Sequence, residues 1–388
     1  MPHTLTSVPL TPLLLPEDPE TALTALQHAL DEVHRGEHAI APLTDPAAAD
    51  GLPRTVPAGT AVVLSTSGSS GVPKRTLLSR NALLASAQAS AERLGGAGDW
   101  LLCLPPGFVA GFQVISRAVL GGTRVSALAG GHFDPAGFAA AARAMPAGRR
   151  YTSLVPTQVQ RLLADAESRE ALGGFDKVLI GGARLDEQTG ARLRAVTDAV
   201  ITYGMTETCG GCVYDGRPLD GVRVRIVDDI VHLGGEVVAD GYLDAAEQPF
   251  YLEGETRWYR TADRGRWSRG LLEPLGRIDD LINTGGVKVS AVAVEQALTG
   301  VAGVQAAVVL GLPDREWGEA VGAYVVSQPG FSPPEAAVLR EAVRRLLGRA
   351  AAPKRLLVGG ELPLLPNSKI DRRRVRELLA GNGIGAEL

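Results

Sequence analysis

Short apolar segments alternate with helical segments between residues 61 and 204, and this alternation constrains the fold more than any other feature of the chain. Most of these segments end in Gly or Pro. They are AVVL (61–64), WLLCLP (100–105), TRVSAL (123–128), YTSLVP (151–156), KVLIGG (177–182) and AVITYG (199–204). Continuous apolar strands separated by helices are typical of a mostly parallel sheet that helices cover on both faces. The sequence therefore predicts an α/β fold for this region.

The pattern changes twice after residue 204. Residues 213–275 contain short segments separated by Gly-containing turns, which predicts a small antiparallel β part. A third pattern begins near residue 280 and predicts a small α+β unit. Its elements are a helix (290–300), two strands (304–310 and 320–327), a second helix (334–349) and an Arg-rich final helix (371–380). With 388 residues, the chain is long enough for two domains.

Charge and cysteine content exclude several classes of protein. The net charge of −4 gives no electrostatic reason to expect nucleic acid as a partner. Three cysteines exclude a disulfide scaffold and fit a reducing compartment. No apolar run approaches the ~18 residues of a membrane span. The first twenty residues lack a basic region and contain several prolines, so they make a poor secretory signal. We therefore expect a cytoplasmic protein.

A loop rich in Ser, Thr and Gly follows the first apolar strand and ends in a lysine. The residues that we expect to bind a polyphosphate are Ser65, Thr66, Ser67, Gly68, Ser69, Ser70, Gly71 and Lys74. Glycines permit close backbone approach, hydroxyl and N–H groups donate hydrogen bonds, and the lysine supplies positive charge. The loop is not a Walker A motif, because Pro73 precedes Lys74 and Arg75 follows it. The alternative is a solvated surface turn.

Five motifs in order resemble those of the adenylate-forming superfamily, which includes acyl-CoA synthetases, luciferases and peptide-synthetase adenylation domains. They are the 65–74 loop, YGMTET (203–208), YRTAD (259–263), GRIDD (276–280) with GGVKVS (285–290), and NSKIDR (367–372). The resemblance covers roughly residues 60–375. It implies a large N-terminal domain over residues 1–278 and a small mobile C-terminal domain over residues 279–388, with the hinge at Asp279.

The resemblance also implies a nucleotide site. Tyr203 would stack on adenine, Asp263 would bind both ribose hydroxyls, and Arg277 would reach ribose or phosphate oxygens. Glu207, beside Thr206, would hold Mg²⁺ on the phosphates of ATP. The other implied nucleotide contacts are Gly181, Gly182, Ala183, Gly204, Met205 and Lys288. Alternatives remain open: Glu207 as an exposed carboxylate, Asp263 as a turn residue, and Arg277 in a salt bridge with Asp279 or Asp280.

Lys369 is the residue that the resemblance implies as the mobile catalytic cation. Joining a carboxylate to an α-phosphate brings two anions together, and an ammonium between them would stabilise the transition state. In the family, ATP and an acid give acyl-AMP; the C-terminal domain then rotates about Asp279, and the thiol of coenzyme A displaces AMP. The alternative is that Lys369 is a surface lysine of a basic tail.

The sequence departs from the family pattern at a few positions. Phe108 stands where a gating His is common, and Arg75 stands where Gly usually follows the loop lysine. Ala262, Ser368 and Ala291 replace two glycines and a proline. No charged catalytic group is lost, but Phe108 puts the gating of the acid pocket in doubt.

Arg117 lies in an otherwise apolar helix, GFQVISRAVL (111–120). A lone guanidinium there is costly unless it reaches water or meets an anion, so it is either a snorkelling side chain or the counter-ion of a substrate carboxylate. The compact size, this helix, YGMTETCGGCVYDG (203–216) and RPLDGV (217–222) together resemble o-succinylbenzoate–CoA ligases, and this similarity implies 2-succinylbenzoate as the acid. Phe108, Phe112, Arg117 and Thr208 are then the expected acid contacts. Cys209 and Cys212 supply too few ligands for zinc and are expected to pack as small groups.

Other functions remain open at this point. The chain could be a different aryl or acyl acid–CoA ligase, an adenylation enzyme that loads a carrier protein, or a non-catalytic nucleotide sensor. The expected small molecules are a carboxylic acid, ATP, Mg²⁺ and coenzyme A. Superfamily enzymes are often homodimers, but the sequence does not specify the oligomeric state.

Overall fold

The structure is a computed structural model that describes residues 7–36, 38–66, 74–129, 133–245, 248–328, 330–332, 334–365 and 370–381. The chain divides into two compact units. The first comprises the residues up to Val227 together with His232–Thr261 and Trp267–Leu272. The second comprises Asp228–Val231, Ala262–Arg266 and the residues from Glu273 onward. The domain boundary at residues 278/279 stays a prediction.

The strands and helices follow one another along the chain in a fixed order. The first are β1 (Ser7–Leu14), α1 (Pro19–Arg35), β2 (Ala39–Leu43), β3 (Thr55–Pro57), β4 (Thr60–Thr66), β5 (Lys74–Ser79), α2 (Arg80–Leu94), β6 (Asp99–Leu102), α3 (Val109–Gly121) and β7 (Val125–Ala127). Next come α4 (Pro135–Ala144), β8 (Arg150–Leu154), α5 (Pro156–Ala164), α6 (Ala166–Leu172), β9 (Lys177–Ile180), α7 (Glu187–Arg194), β10 (Ala199–Met205), β11 (Gly210–Tyr214) and β12 (Arg217–Pro218). They are followed by β13 (Arg223–Val227), β14 (Ile230–Gly234), β15 (Gly241–Tyr242), β16 (Phe250–Glu253), β17 (Thr256–Ser268) and β18 (Leu271–Arg277). The last are β19 (Leu281–Thr284), β20 (Val287–Ser290), α8 (Ala291–Thr299), β21 (Val304–Asp314), β22 (Gly318–Ser327), α9 (Ala336–Leu347), β23 (Arg355–Gly359) and α10 (Arg372–Gly381).

A seven-stranded sheet with the order β12-β11-β10-β9-β8-β6-β7 confirms the prediction of a mostly parallel sheet. Its strands from β10 to β7 are parallel, and β11 and β12 add an antiparallel edge. The apolar segments pack against the connecting helices in one core that includes Leu101, Phe138, Leu162, Val178 and Ile180. Burying both faces of the strands explains why they appear as continuous apolar runs rather than as alternating patterns.

A second sheet in the first unit is mixed, with the order β15-β5-β4-β2-β1-β3. β1 pairs parallel to β2 and β2 parallel to β4, whereas β3, β5 and β15 pair antiparallel. The interpretation of residues 37–58 as an extended connection was wrong, because β2 and β3 lie within it. β2 was missed because it holds only five residues, too few to show a periodicity. It is nevertheless buried along its whole length.

The predicted antiparallel β part between residues 213 and 275 is confirmed where β16 and β17 form a hairpin. Phe250 pairs with Tyr259 and Glu253 with Thr256. A two-residue connection of this kind is open only to antiparallel strands. Residues of β17 belong to both compact units.

The second unit contains the sheet β20-β19-β22-β21, with β23 parallel to β22. Alternate residues of β21 face opposite sides, as the period of a strand requires. Val309 packs in the core with α8 and α9, whereas Val308 and Leu310 pack with Val375 of α10. The sheet is therefore covered by helices on both faces, and the predicted small α+β unit is present.

In the part of the chain that the structure describes, no helix combines the length and apolarity that crossing a bilayer requires.

Candidate functional site

The carboxyl ends of neighbouring parallel strands bring several predicted residues to one edge of the seven-stranded sheet. Gly181–Ala183 follow β9, and Tyr203–Met205 end the adjacent strand β10. Phe108 follows β6 and is the N-cap residue of α3. The carboxyl edge of such a sheet is where ligands bind in α/β proteins. The predicted adenine-flanking residues and the predicted gate therefore share the edge that the fold makes available.

Two glycines at this edge are required by close approach of other groups. A Cβ on Gly204 would lie 2.1 Å from the carbonyl oxygen of Gly210. Gly204 lies in β10 where its antiparallel pairing with β11 shifts register. A Cβ on Gly111 would lie 2.3 Å from the carbonyl oxygen of Pro105. Alanine at either position would collide with backbone, which cannot rotate away as a side chain can. The glycines set the position of the Tyr203 strand end and of the first turn of α3.

Glu207 is buried in the turn Thr206–Thr208 that follows β10, so the alternative of an exposed carboxylate is wrong. Tyr242 donates a hydrogen bond of 2.5 Å to Glu207 Oε1, and its hydroxyl oxygen lies 3.3 Å from that of Tyr259. Burial and the charge of Glu207 raise the pKa of Tyr242 above its usual range. The phenol therefore stays protonated and serves as a donor to the carboxylate.

Tyr242 lies in β15, which pairs with β5 so that Tyr242 stands opposite Thr76. The ammonium of Lys74, at the start of β5, lies 4.9 Å from the centroid of the Tyr242 ring. This distance is within the range of a cation–π contact. Tyr242 thus connects the predicted loop lysine with the predicted magnesium ligand. The sequence analysis missed Tyr242, because no local pattern marks a two-residue strand.

The predicted phosphate loop joins β4 to β5. Ser65 and Thr66 end β4, and Thr66 stands opposite Lys74 in the antiparallel register. The loop residues Ser67, Gly68, Ser69, Ser70 and Gly71 lie outside the described residues. Arg75 has a structural contact: its guanidinium donates to the carbonyl oxygens of Asp50 and Gly51 at 2.9 and 2.6 Å. These contacts account for an arginine where the family usually has glycine.

Thr208 and Phe112 are both fully buried. The Thr208 hydroxyl donates to the carbonyl oxygen of Gly210 at 2.9 Å and accepts from the N–H of Met205 at 3.1 Å. Its hydrogen bonds therefore hold the turn that carries Glu207. Phe112 is among the largest side chains that are wholly shielded from solvent. The contact of these residues with an acid stays a prediction.

Arg117 lies nine residues beyond Phe108, ~13 Å along the axis of α3. Its guanidinium lies 5.7 Å from the ring centroid of Trp100, near the beginning of β6, and it borders a cavity of about 120 Å³. The structure thus places Arg117 far along the helix from the carboxyl edge, where Phe108 lies. The side chain is 8 % exposed, so it does not extend into bulk water.

Three polar residues form one row on α3, spaced i, i+3 and i+4. Gln113 is 1 % exposed, Ser116 is fully buried, and Arg117 completes the row. Within the described residues, no hydrogen-bond partner is found for either amide atom of Gln113, the Ser116 hydroxyl or Arg117 Nε. Buried polar atoms without partners are costly and are rare in folded proteins. We define these residues as the α3 polar row; sequence analysis had identified Arg117 alone.

Cys209 and Cys212 are free and buried. Burial raises the pKa of both thiols, that of Cys212 to about 12, so neither is a thiolate at neutral pH. Among the residues that the structure describes, no group of three or more His, Cys, Asp and Glu side chains is suited to hold a metal ion. At neutral pH both cysteines are therefore buried, protonated thiols.

In the second unit, Arg277 forms a fork with Asp279. Nε donates to Oδ1 at 2.8 Å and Nη2 donates to Oδ2 at 2.9 Å, while Nη1 lies 3.7 Å from a carboxylate oxygen of Asp263. The hydrogen bonds to Asp279, together with the charges of Asp279, Asp263 and Asp280, raise the pKa of Arg277. The salt bridge between Arg277 and Asp279, one of the alternatives in the sequence analysis, is thus present. Asp263 lies near the same guanidinium. Lys288 lies exposed on β20, and Lys369 lies outside the described residues.

Comparison with known proteins shows two family matches. Residues 7–243 match the AMP-binding enzyme family, and residues 293–369 match the AMP-binding enzyme C-terminal domain.

Individual relatives agree with these matches. The chain is 41% identical over 330 residues to a probable 2-succinylbenzoate–CoA ligase of Mycobacterium tuberculosis, covering 83% of this chain and 85% of that protein. It is 33% identical to a 2-succinylbenzoate–CoA ligase of Salmonella typhimurium, covering 82% and 68%. A structure of o-succinylbenzoate CoA synthetase from Bacillus subtilis, in complex with the acyl-adenylate OSB-AMP, superposes with a TM-score of 0.74 at 21% identity and covers 95% of this chain and 87% of that chain. That last likeness concerns the fold.

Proposed function

The chain belongs to the family of AMP-binding enzymes, and on that premise we propose that it is an ATP-dependent acid–CoA ligase that acts through an acyl-AMP intermediate. Relatives that match more than four fifths of the chain are named as acid–CoA ligases. The arrangement of Lys74, Tyr242 and Glu207 supports the same chemistry, because it places a cation and a buried carboxylate beside the loop expected to hold phosphates.

The substrate proposed is 2-succinylbenzoate, and the observation that carries it is the α3 polar row. A pocket for a fatty acid would be lined by apolar groups, since buried polar groups without partners weaken both the fold and the binding of an apolar ligand. A second carboxylate and a ketone would accept hydrogen bonds from Arg117, the Ser116 hydroxyl and the amide N–H of Gln113.

ATP would bind along the carboxyl edge of the seven-stranded sheet. Tyr203 and Gly181–Ala183 are suited to flank the adenine ring, and the β4–β5 loop with Lys74 is suited to the phosphates. Mg²⁺ is usually held by one or two carboxylates together with phosphate oxygens, so Glu207 is a fitting protein ligand, and bound Mg²⁺ would neutralise phosphate charge. By donating to Oε1, Tyr242 would hold the carboxylate in one orientation.

The C-terminal residues would supply the moving parts. Lys369 is proposed to stabilise the charge that develops between the carboxylate and the α-phosphate in the first half-reaction. Asp279 is proposed as the pivot, and its fork with Arg277 would have to break or move with it as the backbone rotates. Asp263 and Arg277 are proposed to contact the ribose and the phosphates.

The first experiment measures pyrophosphate release from ATP with 2-succinylbenzoate, benzoate and a medium-chain fatty acid. We expect release to depend on the diacid. Adding coenzyme A or a carrier protein then identifies the thiol acceptor. Binding of ATP without pyrophosphate release for any acid would indicate a nucleotide sensor and contradict the proposal.

Arg117→Met tests the substrate assignment. We expect it to lower kcat/KM for 2-succinylbenzoate about 100-fold, since an uncompensated carboxylate would be left in a buried site. Arg161→Met is a matched control, because Arg161 also lies over an aromatic ring, that of Phe133, at 5.5 Å. Equal turnover of the fatty acid and the diacid by the wild type would contradict the assignment.

A further inference from the structure

Gln113 and Gln158 are buried glutamines of the first unit, and their side-chain amides differ in their partners. Gln158 is 3% exposed; its Nε2 donates to the carbonyl oxygen of Cys103 at 2.8 Å, and its Oε1 accepts the N–H of Val155 at 3.0 Å. Gln113 is 1% exposed, yet neither of its amide atoms has a hydrogen-bond partner among the described residues. The amide of Gln158 therefore stabilises the fold, whereas that of Gln113 makes no such contribution.

Gln113 lies beside the beginning of β11. A Cβ added to Gly210, the first residue of β11, would lie 3.4 Å from Cγ of Gln113, so the side chain packs directly against this backbone. Gly210 pairs with Met205 at the carboxyl end of β10, the edge where ATP is proposed to bind. Along α3, Gln113 is also about one turn, ~6 Å, nearer to the beginning of the helix than Arg117 is. The Gln113 side chain therefore lies, along α3, between the carboxyl edge of the sheet and Arg117.

The described groups next to Gln113 do not bind its amide. The carbonyl oxygen of Gly210 accepts instead from the hydroxyl of Thr208 at 2.9 Å. Ser116, one turn further along α3, is fully buried, and no partner of its hydroxyl is found among the described residues either. A buried amide that the fold leaves unpaired costs free energy, and natural proteins break this rule chiefly at functional sites. The partner of the Gln113 amide is therefore to be sought in a ligand.

The amide of Gln113 is uncharged, and this property determines which part of an acid it suits. Arg117 supplies a positive charge in the same row, and a carboxylate gains more from a guanidinium than from an amide. The N–H donors of a glutamine amide suit an uncharged acceptor such as a ketone oxygen. The α3 polar row thus offers one group for a charge and another for a neutral oxygen.

We propose that Gln113 is a specificity-determining residue, whose amide donates to an uncharged oxygen that the acid carries between its two carboxylates. The inference rests on the proposed function, in which the acid is 2-succinylbenzoate and this oxygen is its ketone. It adds selection against a diacid with a methylene group at the same place, because that acid leaves the buried amide unpaired. Arg117 by itself does not distinguish the two diacids, since both carry the same carboxylates.

The kinetic experiment measures pyrophosphate release with 2-succinylbenzoate and with the analogue in which a methylene group replaces the ketone. We expect the kcat/KM of the wild type to be about 10-fold to 100-fold higher for the keto diacid. Gln113→Met keeps an unbranched side chain without an N–H donor, so we expect the preference to fall below about threefold. Arg117→Met should lower kcat/KM for both diacids and leave the preference in place.

Two kinetic results would overturn the inference. One is a wild type that releases pyrophosphate equally well with both diacids. The other is a Gln113→Met variant that keeps the preference of the wild type for the keto diacid.

Urea unfolding without ligand provides a readout that does not depend on activity. Gln158→Met removes two hydrogen bonds of the fold, so we expect it to unfold at a lower urea concentration than the wild type. Gln113→Met removes none, so its midpoint should equal or exceed that of the wild type. A decrease as large as that of Gln158→Met would mean that the fold itself uses the Gln113 amide, and it would overturn the inference.

Failure of the proposed function gives a different result. The wild type would then release pyrophosphate with none of the acids, whichever residue stands at position 113. The unfolding comparison between Gln113→Met and Gln158→Met would still test whether the Gln113 amide lacks a structural role.

Discussion

Replacing Glu295 by Gln should stabilise the protein at alkaline pH but not at acid pH. Burial raises the pKa of Glu295 from 4.5 to about 7, a change worth about 3 kcal/mol between the charged and neutral forms. The side chain keeps 23% of its surface exposed, and screening by solvent reduces the expected effect to about 2 kcal/mol. The raised pKa already includes the attraction of Arg372. The figure of about 2 kcal/mol is therefore the net cost of ionising the Glu295 carboxyl group in the folded protein.

The sign follows from proton binding. Between pH 4.5 and pH 7 the folded state holds a proton on Glu295 that the unfolded state has lost, so the wild type loses stability as the pH rises through this range. The amide side chain of the variant resembles the protonated carboxyl group at every pH. We therefore expect the unfolding free energy of Glu295→Gln minus that of the wild type to increase by about 2 kcal/mol from about pH 5 to about pH 8.

The assay is urea unfolding at several pH values, followed by circular dichroism, with hydrogen exchange of peptides from α8 and β21 to report on the second unit. Glu377→Gln is the matched control, because Glu377 is exposed and pairs within α10; its effect on the unfolding free energy should be small. The reasoning would be refuted if the unfolding free energy of Glu295→Gln minus that of the wild type stayed constant, or decreased, from about pH 5 to about pH 8.

Three further predictions concern the first unit. Tyr242→Phe leaves the buried carboxylate of Glu207 without this donor, so we expect a loss of about 1–3 kcal/mol in unfolding free energy and a higher KM for Mg-ATP; unchanged values would contradict the contact. Gly111→Ala should destabilise the protein by more than about 2 kcal/mol in urea unfolding, whereas Gly121→Ala, whose added carbon would have its nearest neighbour at 3.5 Å, should cost less than about 1 kcal/mol; equal effects would contradict the packing argument. The thiol of Cys212, with its pKa raised to about 12, should resist iodoacetamide at about pH 8 until urea unfolds the chain, as mass spectrometry would show; rapid labelling of the native protein would contradict its burial.

The sequence predicted the elements whose signal is local. Apolar runs between helices indicated the seven-stranded sheet. The structure shows local caps as well: the side chains of Ser79 and Ser290 accept the N–H three residues later at the starts of α2 and α8. The elements predicted for the second unit are confirmed as α8, β21, β22, α9 and α10. These signals succeed because caps and periodicity act over a few residues.

The mixed sheet did not have such a signal. β2 is short and buried, β3 has three residues and β15 has two, so none shows a period. Their strands form because partners distant in the chain satisfy their backbone groups, and pairing energy of that kind is not encoded in a short window. The interpretation of residues 37–58 as a connection failed for this reason.

The motifs in the sequence indicated the family and the chemistry, since five of them occur in the family's order. Tertiary structure alone decided the surroundings of those groups. Pairing of β15 with β5 brings Tyr242 to Glu207 across 35 positions, and the packing of α3 leaves Gln113 and Ser116 beside Arg117 without partners among the described residues. Charge and hydrogen-bonding capacity belong to a residue and can be read from its letter, whereas burial and neighbours belong to the fold and arise only when distant segments pack.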